Sequence, residues 1–252
     1  MRILTLARDL RRRKARERER LFVCEGVRAV EELLHSSLRP TGVLIAPQLL
    51  EAPRGAALRE TIRTMDLPVE EVKPLEFNSA AETESPQGVL AIAPVPARGF
   101  DDVESRDGMR VLLLDAVQDP GNVGTILRTA AALGVAATAA LPGTVDLWNA
   151  KVVRSAMGAH FHHLCFASTW EAFDTFRSRT GISVWGADAA GVPLGSVPVP
   201  ARVALVVGNE GAGLSAETQR RAQQTIALPL SSGVESLNVA VATGILLYEM
   251  RA

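Results

Sequence analysis

Three segments of this chain share one pattern, in which a polar, glycine-containing turn leads directly into a helix. They are LLLDAVQDPGNVGTILRTAAALGV (112–135), ALVVGNEGAGLS (204–215) and LPLSSGVESLNVAVATGILLYE (228–249). Polar side chains at the start of a helix can cap free backbone amides or receive a ligand. The recurrence of the pattern predicts that the three turns converge on one binding site.

The second half of the chain alternates between apolar strands and helices. Strands are predicted over 111–117, 135–141, 163–167, 182–187 and 202–207, and helices over 123–133, around 148–157 and from Ser236 onward. Apolar strands separated by helices imply a parallel sheet that is covered on both faces, with ligands bound beyond the carboxyl ends of the strands. The first strand leads into DAVQDPGNVG and not GxGxxG, which disfavours a classical dinucleotide-binding fold.

The first half predicts a smaller α/β unit. Its strands are expected over 21–23, 42–46, 69–72 and 88–95, and its helices over 26–36 and 49–64. The polar stretch that follows has no periodicity and is interpreted as a linker. The expected organisation is a first domain over 1–95, a linker over 96–107 and a second domain over 108–252.

Charge is distributed unevenly along the chain. The formal net charge is −1, yet residues 1–20 carry nine basic side chains against three acidic ones, so the remainder is acidic. A basic N-terminal arm that grips RNA phosphates explains this cluster, and a solvated helix end with i,i+4 ion pairs explains it too. The arm is the favoured interpretation.

Apolar residues make up 47% of the 252 positions, which is ample for buried cores. No apolar run approaches the roughly 20 residues that a membrane span needs, and the arginine-rich start lacks the apolar core of a secretion signal. A cytoplasmic location is therefore expected. Cys24 and Cys165 lie far apart and have no metal-ligand spacing, so both are predicted to be small buried residues.

The three motifs closely resemble those of the SpoU (TrmH) family of RNA 2′-O-ribose methyltransferases. The matching positions are Asn122 and Arg128 in the first motif, Glu210 in the second, and Ser236 and Asn238 in the third. The resemblance implies an α/β fold with a C-terminal trefoil-knotted, parallel-sheet methyltransferase domain. The stretches FVCEGVRAVEELL and ESPQGVLAI also resemble the ribosomal-protein-like, RNA-binding domain that precedes the catalytic domain in many members.

In that family S-adenosylmethionine lies bent in the knot and is held chiefly by backbone groups. Carried over by motif, the implied cofactor-binding residues are Gly208, Leu228, Ser236 and Leu237, although plain core packing is the alternative for the two leucines. The implied catalytic residues are Arg128, Asn122, Glu210 and Asn238. A guanidinium is a poor base, so Arg128 is expected to bind a phosphate and stabilise the developing alkoxide.

The polar motif residues also have simpler structural interpretations. Asn122 follows Pro120 and Gly121, which suits a helix N-cap, and Ser236 and Asn238 can cap the last helix. Lys151 and Arg154, one helical turn apart, are a substrate-contact hypothesis. His160, His162 and His163 have no acidic or cysteine partner nearby, so no metal is expected.

The leading hypothesis is an S-adenosylmethionine-dependent RNA 2′-O-ribose methyltransferase that acts on 23S ribosomal RNA. Transfer RNA is the second substrate considered, and a non-catalytic knotted RNA-binding protein is the alternative from another class. The family resemblance further implies a homodimer, and the lack of a long apolar run predicts no membrane association. No aromatic RNA-binding signature is present, so recognition is expected to depend on backbone charge and shape.

Overall fold

A computed structural model describes residues 2–231 and 236–251 of the chain. The chain divides into two compact units. Unit 1 comprises Met1–Ala97 together with Trp148–His162, and unit 2 comprises Arg98–Leu147 together with His163–Ala252. Within the described ranges, no helix is long and apolar enough to cross a lipid bilayer.

The secondary structure alternates between helices and strands along most of the chain. The α-helices are α1 (Ile3–Leu10), α2 (Arg13–Glu19), α3 (Val27–Leu34), α4 (Pro53–Thr64), α5 (Pro74–Asn78), α6 (Pro120–Ala132), α7 (Ala150–Ser155), α8 (Trp170–Thr180), α9 (Ala216–Arg221) and α10 (Val239–Glu249). The strands are β1 (Leu21–Glu25), β2 (Gly42–Ile45), β3 (Val69–Glu71), β4 (Val89–Pro94), β5 (Arg110–Leu114), β6 (Ala137–Ala140), β7 (Cys165–Ala167), β8 (Ser183–Pro193), β9 (Val203–Val207) and β10 (Gln224–Ala227).

Unit 1 is built on a four-stranded sheet in the order β1-β4-β2-β3. Strand β4 is antiparallel to β1 and β2, and β3 is parallel to β2. One of its cores packs Leu44, Phe77 and Leu90 against Leu4 and Leu10 of α1. The sequence therefore predicted the strands of this unit correctly, but it gave no separate account of the two helices that precede them.

The basic residues 2–20 are folded against unit 1 and do not extend as an arm. Leu4, Ala7 and Leu10 of α1 are buried, because apolar residues recur every three to four positions on one helix face. Arg16 is also buried and donates from its Nη1 to the carbonyls of Leu10 and Arg11. The expected arm is instead a pair of packed helices whose other basic side chains are exposed.

Many of the exposed arginines in this region have local ionic partners. Arg2 pairs with Glu70 at 2.7 Å, Arg13 pairs with Glu17 at 2.7 Å, and Arg18 pairs with Asp9 at 2.9 Å. Lys14 and Arg20 are exposed and have no ion-pair partner within the described part of the chain. The segment is therefore an ion-paired helical surface, as the second interpretation expected, and it also presents unpaired positive charge. Its contact with RNA stays a prediction.

Unit 2 is built on a six-stranded sheet in the order β10-β8-β9-β5-β6-β7. All neighbouring strands in it run parallel, which confirms the predicted parallel sheet. Strands β5 and β9 lie at its centre, and their residues from Val111 to Leu114 and from Val203 to Val207 are buried. Because β5 and β9 are adjacent and parallel, the turns that follow them emerge at the same edge of the sheet.

The stretch 96–107, interpreted from sequence as a linker, contributes to the core of unit 2. Phe100 lies in a 3₁₀ helix over Phe100–Asp102 and is buried against the rings of Phe166, Phe173 and Phe176, with centroid distances of 5.0, 5.5 and 4.9 Å. An isolated aromatic residue in a polar stretch has no periodicity, so its burial could not be inferred from the local sequence.

The segment Trp148–His162, which lies inside the expected second domain, belongs to unit 1. The ring of Phe22 on β1 lies 4.5 Å from that of Trp148 and 6.2 Å from that of Phe161. Aromatic contacts of this kind bury large apolar areas, which explains why the segment packs with β1. The functional domains expected over 1–95 and 108–252 stay a prediction. The compact units differ from these bounds, because Trp148–His162 packs with the first unit.

The final helix α10 begins at Val239 and packs against α6. At its other end, Arg110 Nε donates to the carbonyl of Met250 at 2.9 Å. A cation at a helix carboxyl end satisfies free carbonyls and complements the helix dipole. Partial burial lowers the pKa of this guanidinium. The arrangement fixes α10 next to the start of β5.

Candidate active site

The polar turns that follow β5 and β9 meet through the carboxylate of Glu210. Its Oε1 accepts from the backbone N–H of Asp119 at 3.1 Å, and its Oε2 accepts from the N–H of Gln118 at 3.3 Å. Asp119 in turn accepts the N–H of Asn122 at 2.8 Å and caps α6, with Pro120 in the first helical position. The start of α6 is therefore fixed against the second motif.

Asn122 connects Glu210 to the third motif. Its side-chain N–H donates to Glu210 Oε1 at 3.0 Å, and its side-chain oxygen accepts from Asn238 Nδ2 at 3.0 Å. The oxygen of Asn238 accepts the N–H groups of Ala240 and Val241 at 2.9 and 3.3 Å, which caps α10. We call the connected side chains of Glu210, Asn122 and Asn238 the polar triad.

The surroundings of Glu210 keep its carboxylate charged. Partial burial favours the neutral form, but donation from the side chain of Asn122 and from the backbone amides of Glu210, Asp119 and Gln118 outweighs it, so the pKa is lowered. A carboxylate with a lowered pKa is a weak proton acceptor at neutral pH. Glu210 is therefore suited to orienting amide groups and not to general base catalysis.

A pocket of about 510 Å³ lies beside the polar triad in unit 2. Its walls are formed by the middle of β8, by the end of β9 and the turn after it, by the end of β10 and the stretch after it, and by the start of α10. The apolar residues that line it include Ile226, Leu228, Leu230, Leu237 and Leu246. The polar residues that line it include Asp188, Asn209, Glu210, Ser236 and Asn238. Residues 232–235, which complete the third motif, lie outside the described residues.

The backbone approaches the pocket closely at the second motif. A Cβ atom added to Gly208 would overlap with the backbone of Gly213, so no larger residue fits there without displacing this turn. Gly213 itself has a φ of +68°, a conformation that glycine adopts at little cost. Exposed backbone groups and apolar walls are what an adenine-containing ligand requires, so the residues present fit S-adenosylmethionine.

Arg128 lies on α6 six residues beyond Asn122, and its side chain is exposed. It does not line the pocket. Its guanidinium has neither a hydrogen-bond partner nor an ion-pair partner in residues 2–231 and 236–251. An exposed, unpaired guanidinium is available to an external phosphate or oxyanion.

A comparison with known protein families matches the part of the chain that contains all three motifs. The profile of the SpoU rRNA methylase family matches residues 109–248, more than half of the chain. This chain belongs to the SpoU rRNA methylase family. A second profile, that of the MRM3-like substrate binding domain, matches residues 4–91.

SpoU relatives match this chain over nearly its whole length. The 23S rRNA (guanosine(2553)-2′-O)-methyltransferase RlmP of Bacillus subtilis is 35% identical over 97% of this chain and 94% of that protein. The SpoU methyltransferase AviRb from Streptomyces viridochromogenes, solved with S-adenosylmethionine, has a TM-score of 0.89 at 26% identity and covers 98% of this chain and 96% of that one. An S-adenosylmethionine-bound rRNA methyltransferase from Sinorhizobium meliloti has a TM-score of 0.85 at 29% identity, covering 98% and 93%.

The structure brings most of the sequence-predicted SpoU site residues together. Gly208, Leu228, Ser236, Leu237, Glu210 and Asn238 line the pocket. Asn122 joins them through the polar triad, whereas Arg128 stands apart on α6. One structural interpretation was wrong, because Asp119 and not Asn122 caps α6, and another was wrong in part, because Asn238 and not Ser236 caps α10.

Two polar residues of this SpoU site were not identified from the sequence. Asn209 bonds to both the first and second motifs, and Asp188 lies within β8 and lines the pocket. A signal for the first was present, since Asn209 lies between Gly208 and Glu210 in the second motif. Asp188 lies outside all three motifs, so its position depends on how β8 pairs with β9 and β10.

The other sequence features of this SpoU chain are not members of the polar triad. His160 and His162 belong to unit 1 and His163 to unit 2, where its Nε2 lies 2.8 Å from Thr138 Oγ1. No group of three or more histidine, cysteine, aspartate and glutamate side chains in the described ranges is arranged to hold a metal ion. Lys151 is exposed on α7, Arg154 is half-buried there, and their contact with substrate remains a hypothesis. Cys24 and Cys165 are buried free thiols, as predicted.

Proposed function

We propose that this protein is an S-adenosylmethionine-dependent RNA 2′-O-ribose methyltransferase that acts on 23S ribosomal RNA in the cytoplasm. The observation that carries the proposal is the polar triad, which joins the three SpoU motifs beside a pocket suited to the cofactor. A full-length similarity to a 23S rRNA 2′-O-methyltransferase of Bacillus subtilis supports the choice of substrate.

The cofactor supplies an electrophilic methyl group on its sulfonium. The residues that would hold it are Gly208, Leu228, Ser236 and Leu237, through the close backbone approach at the second motif and the apolar walls of the third. We also propose that unit 2 contains the trefoil knot of the family, because it carries the same three motifs. Similarity to two structures that contain S-adenosylmethionine supports this assignment.

The chain must position a ribose 2′-hydroxyl and stabilise its oxygen as the proton leaves. Arg128 is proposed to bind the adjacent phosphate and to stabilise the developing alkoxide. Asn122 and Asn238 each use one amide hydrogen inside the polar triad, which leaves a second hydrogen on each for substrate oxygens. Glu210 fixes the direction of both amides because it accepts from Asn122.

Unit 1 is proposed to bind the RNA substrate. The MRM3-like substrate binding domain profile covers residues 4–91, and the packed helices α1 and α2 present a basic surface. Lys14 and Arg20 are two of its exposed cations that have no ionic partner in the described part of the chain. Unpaired cations contribute most to phosphate binding, because they need not break an existing ion pair.

We also propose that the protein is a homodimer assembled through α10. Val241, Ile245 and Tyr248 are 52%, 40% and 47% exposed and follow one helix face at i, i+4 and i+7. Beside that face, a groove of about 450 Å³ is lined by Leu194, Val197, Val199, Leu230 and Ile245, among others. Contiguous exposed apolar surface of this kind is typical of a protein interface.

A labelling experiment tests the proposed activity. The purified protein is incubated with methyl-labelled S-adenosylmethionine and either ribosomal or transfer RNA lacking the modification, and the RNA is digested to nucleosides. We expect labelled 2′-O-methylnucleoside from 23S rRNA in the wild type and a strongly reduced amount with Arg128→Ala. Label in transfer RNA alone would overturn the substrate assignment, and no label in either pool would favour a non-catalytic RNA-binding protein.

A further inference from the structure

The side chain of Asn209 connects the turns of the first and second motifs. Its Nδ2 donates to the carbonyl of Ala116 at 2.9 Å, and its Oδ1 accepts the N–H groups of Gly211 and Ala212 at 2.9 Å each. Its backbone exchanges two further hydrogen bonds of 2.9 Å with Gly213. The bond to Ala116 crosses 93 positions of the sequence, so it joins turns that are not otherwise neighbours in the chain.

The bond from Asn209 ends on a residue in an unfavourable backbone conformation. Ala116 has a φ of +58°, a left-handed conformation that is unfavourable for a residue with a Cβ atom. Such a conformation persists when the surrounding structure holds it. Gln118 and Asp119, whose N–H groups donate to Glu210, begin two positions after Ala116, so the conformation of Ala116 affects where those donors lie.

Asn209 therefore supports both partners in the hydrogen bonds between Glu210 and the first motif. Through Ala116 it places the donors of the first motif, and through Gly211 and Ala212 it shapes the turn that carries Glu210. The Glu210 carboxylate then orients Asn122, whose oxygen receives Asn238. A change at Asn209 is transmitted to the polar triad through Glu210.

We propose that Asn209 is a positioning residue for methyl transfer, which sets the orientation of the polar triad through Glu210. The proposal deepens the proposed function and rests on it for its kinetic consequence. Its structural part, that the side chain of Asn209 holds the contacts of Glu210 with the first motif, does not depend on catalysis.

A double-mutant cycle between Asn209 and Glu210 tests the kinetic part. Asn209→Asp keeps the oxygen that receives the Gly211 and Ala212 amides but replaces the donor to Ala116 with a second oxygen. We expect it to lower kcat about 10²-fold, since small displacements of catalytic groups have effects of this size. Asn209 acts through Glu210, so the two effects should not multiply. The kcat of the double variant with Glu210→Gln is expected to lie within about 3-fold of the kcat of the slower single variant.

Thr218→Val is the matched control for a structural effect. Thr218 is fully buried and donates from Oγ1 to Asp115 at 2.5 Å, next to the same turns but without a bond to Glu210. Its effect on kcat is expected to multiply with that of Glu210→Gln. If the effects of Asn209→Asp and Glu210→Gln also multiply, or if Asn209→Asp retains the wild-type kcat, the positioning role is wrong.

Hydrogen–deuterium exchange tests the structural part without any activity. We expect Asn209→Asp to accelerate exchange at the amides of Gln118 and Asp119, and Thr218→Val to leave those amides unchanged. Unchanged exchange in Asn209→Asp would overturn the inference. If the wild-type protein transfers no methyl group, the proposed function fails, and exchange alone decides whether Asn209 holds the Glu210 contacts.

A second variant protects the test against a folding defect. Asn209→Ser also lacks the amide donor but keeps a small hydroxyl acceptor. If Asn209→Asp does not fold, the double-mutant cycle and the exchange measurement are repeated with Asn209→Ser. In addition, Ala116→Gly placed in the Asn209→Asp background is expected to restore part of kcat, because glycine adopts the required φ without the hydrogen bond. A purely structural loss at Asn209 would show no such rescue.

Discussion

The side-chain amide of Asn238 donates to the side-chain oxygen of Asn122 at 3.0 Å, although 116 positions separate the two residues. Each of these residues lies at the start of a helix, and α6 and α10 pack against each other. The geometry of the site therefore depends on how α10 is positioned along α6. Since Asn122 also donates to Glu210, a displacement of α10 would change the contacts of the second motif.

Removal of the Arg128 guanidinium should impair chemistry more than cofactor binding. Arg128→Ala is expected to lower kcat about 10²–10³-fold, the usual effect of losing one group that stabilises a developing oxyanion. The dissociation constant of S-adenosylhomocysteine, measured by calorimetry, should change less than about 3-fold, because Arg128 does not line the pocket. Arg220→Ala, at an exposed arginine of α9, serves as the control, and a wild-type kcat for Arg128→Ala would exclude the proposed role.

The close approach of two backbone segments at Gly208 should make this position intolerant of a side chain. Gly208→Ala is expected to weaken S-adenosylhomocysteine binding about 10–100-fold, because the new methyl group displaces the turn at Gly213. Gly211→Ala is the matched control in the same turn, where the added carbon would lie 3.7 Å from Asn209 Oδ1. Equal affinities for the two variants would show that this turn does not shape the cofactor site.

The unpaired cations of α2 and its carboxyl end should contribute to RNA affinity through phosphates. Lys14→Gln combined with Arg20→Gln is expected to reduce the slope of log K against log salt by about 1.5, since each phosphate contact contributes roughly 0.7–0.9. Fluorescence anisotropy with an rRNA fragment over a salt series measures this slope. Arg63→Gln, at an exposed arginine paired with Glu60, is the control, and a double variant with the wild-type slope would exclude α2 as a phosphate contact.

A charge on the exposed face of α10 should disrupt the proposed homodimer. Ile245→Glu combined with Val241→Glu is expected to weaken association at least about 100-fold, because carboxylates at the centre of an apolar interface would lose hydration. Sedimentation velocity would then detect the monomer mass. Leu75→Glu, at an 83% exposed residue of unit 1, should leave the mass unchanged. A wild-type protein that sediments as a monomer at micromolar concentration would contradict the assembly itself.

The buried His163 should make unit 2 less stable in mild acid. Desolvation lowers its pKa from 6.5 to about 4, so the native state binds this proton less readily than the unfolded state does. The associated stability is fully present above pH 6.5 and is lost as the pH falls towards 4, by up to about 3 kcal/mol. Urea unfolding at several pH values measures this loss.

Variants of two histidines separate this effect from other titrating groups. His163→Gln should flatten the pH dependence of the free energy of unfolding in that window, whereas His35→Gln, at an exposed helix end, should not. A wild-type slope in His163→Gln would assign the acid sensitivity to other residues.

Much of unit 2 could be predicted from the sequence because its strands are buried on both faces. Continuous apolar runs at 111–114 and 203–207 indicate such strands without any knowledge of their neighbours. The motif residues could be assigned by resemblance, since each lies at a fixed place within its motif. The cap of α6 was wrongly assigned to Asn122, although an aspartate before a proline is a common start to a helix.

Other features depend on contacts between distant parts of the chain. Asn209 carries an amide whose partner, Ala116, is 93 positions away, and nothing local identifies that partner. The same is true of Trp148, whose contact with Phe22 assigns its segment to unit 1. The basic residues 2–20 were misjudged as an arm because their charge outweighed the buried face of Leu4, Ala7 and Leu10.

The return of Trp148–His162 to unit 1 has a consequence for biosynthesis. The ribosome completes unit 1 only after it has made residue 162, when β5, α6 and β6 of unit 2 already exist. The N-terminal unit therefore cannot finish folding before the second unit begins, unlike two domains arranged in tandem. A gene fragment that ends at residue 97 would encode a protein that lacks the aromatic partners of Phe22.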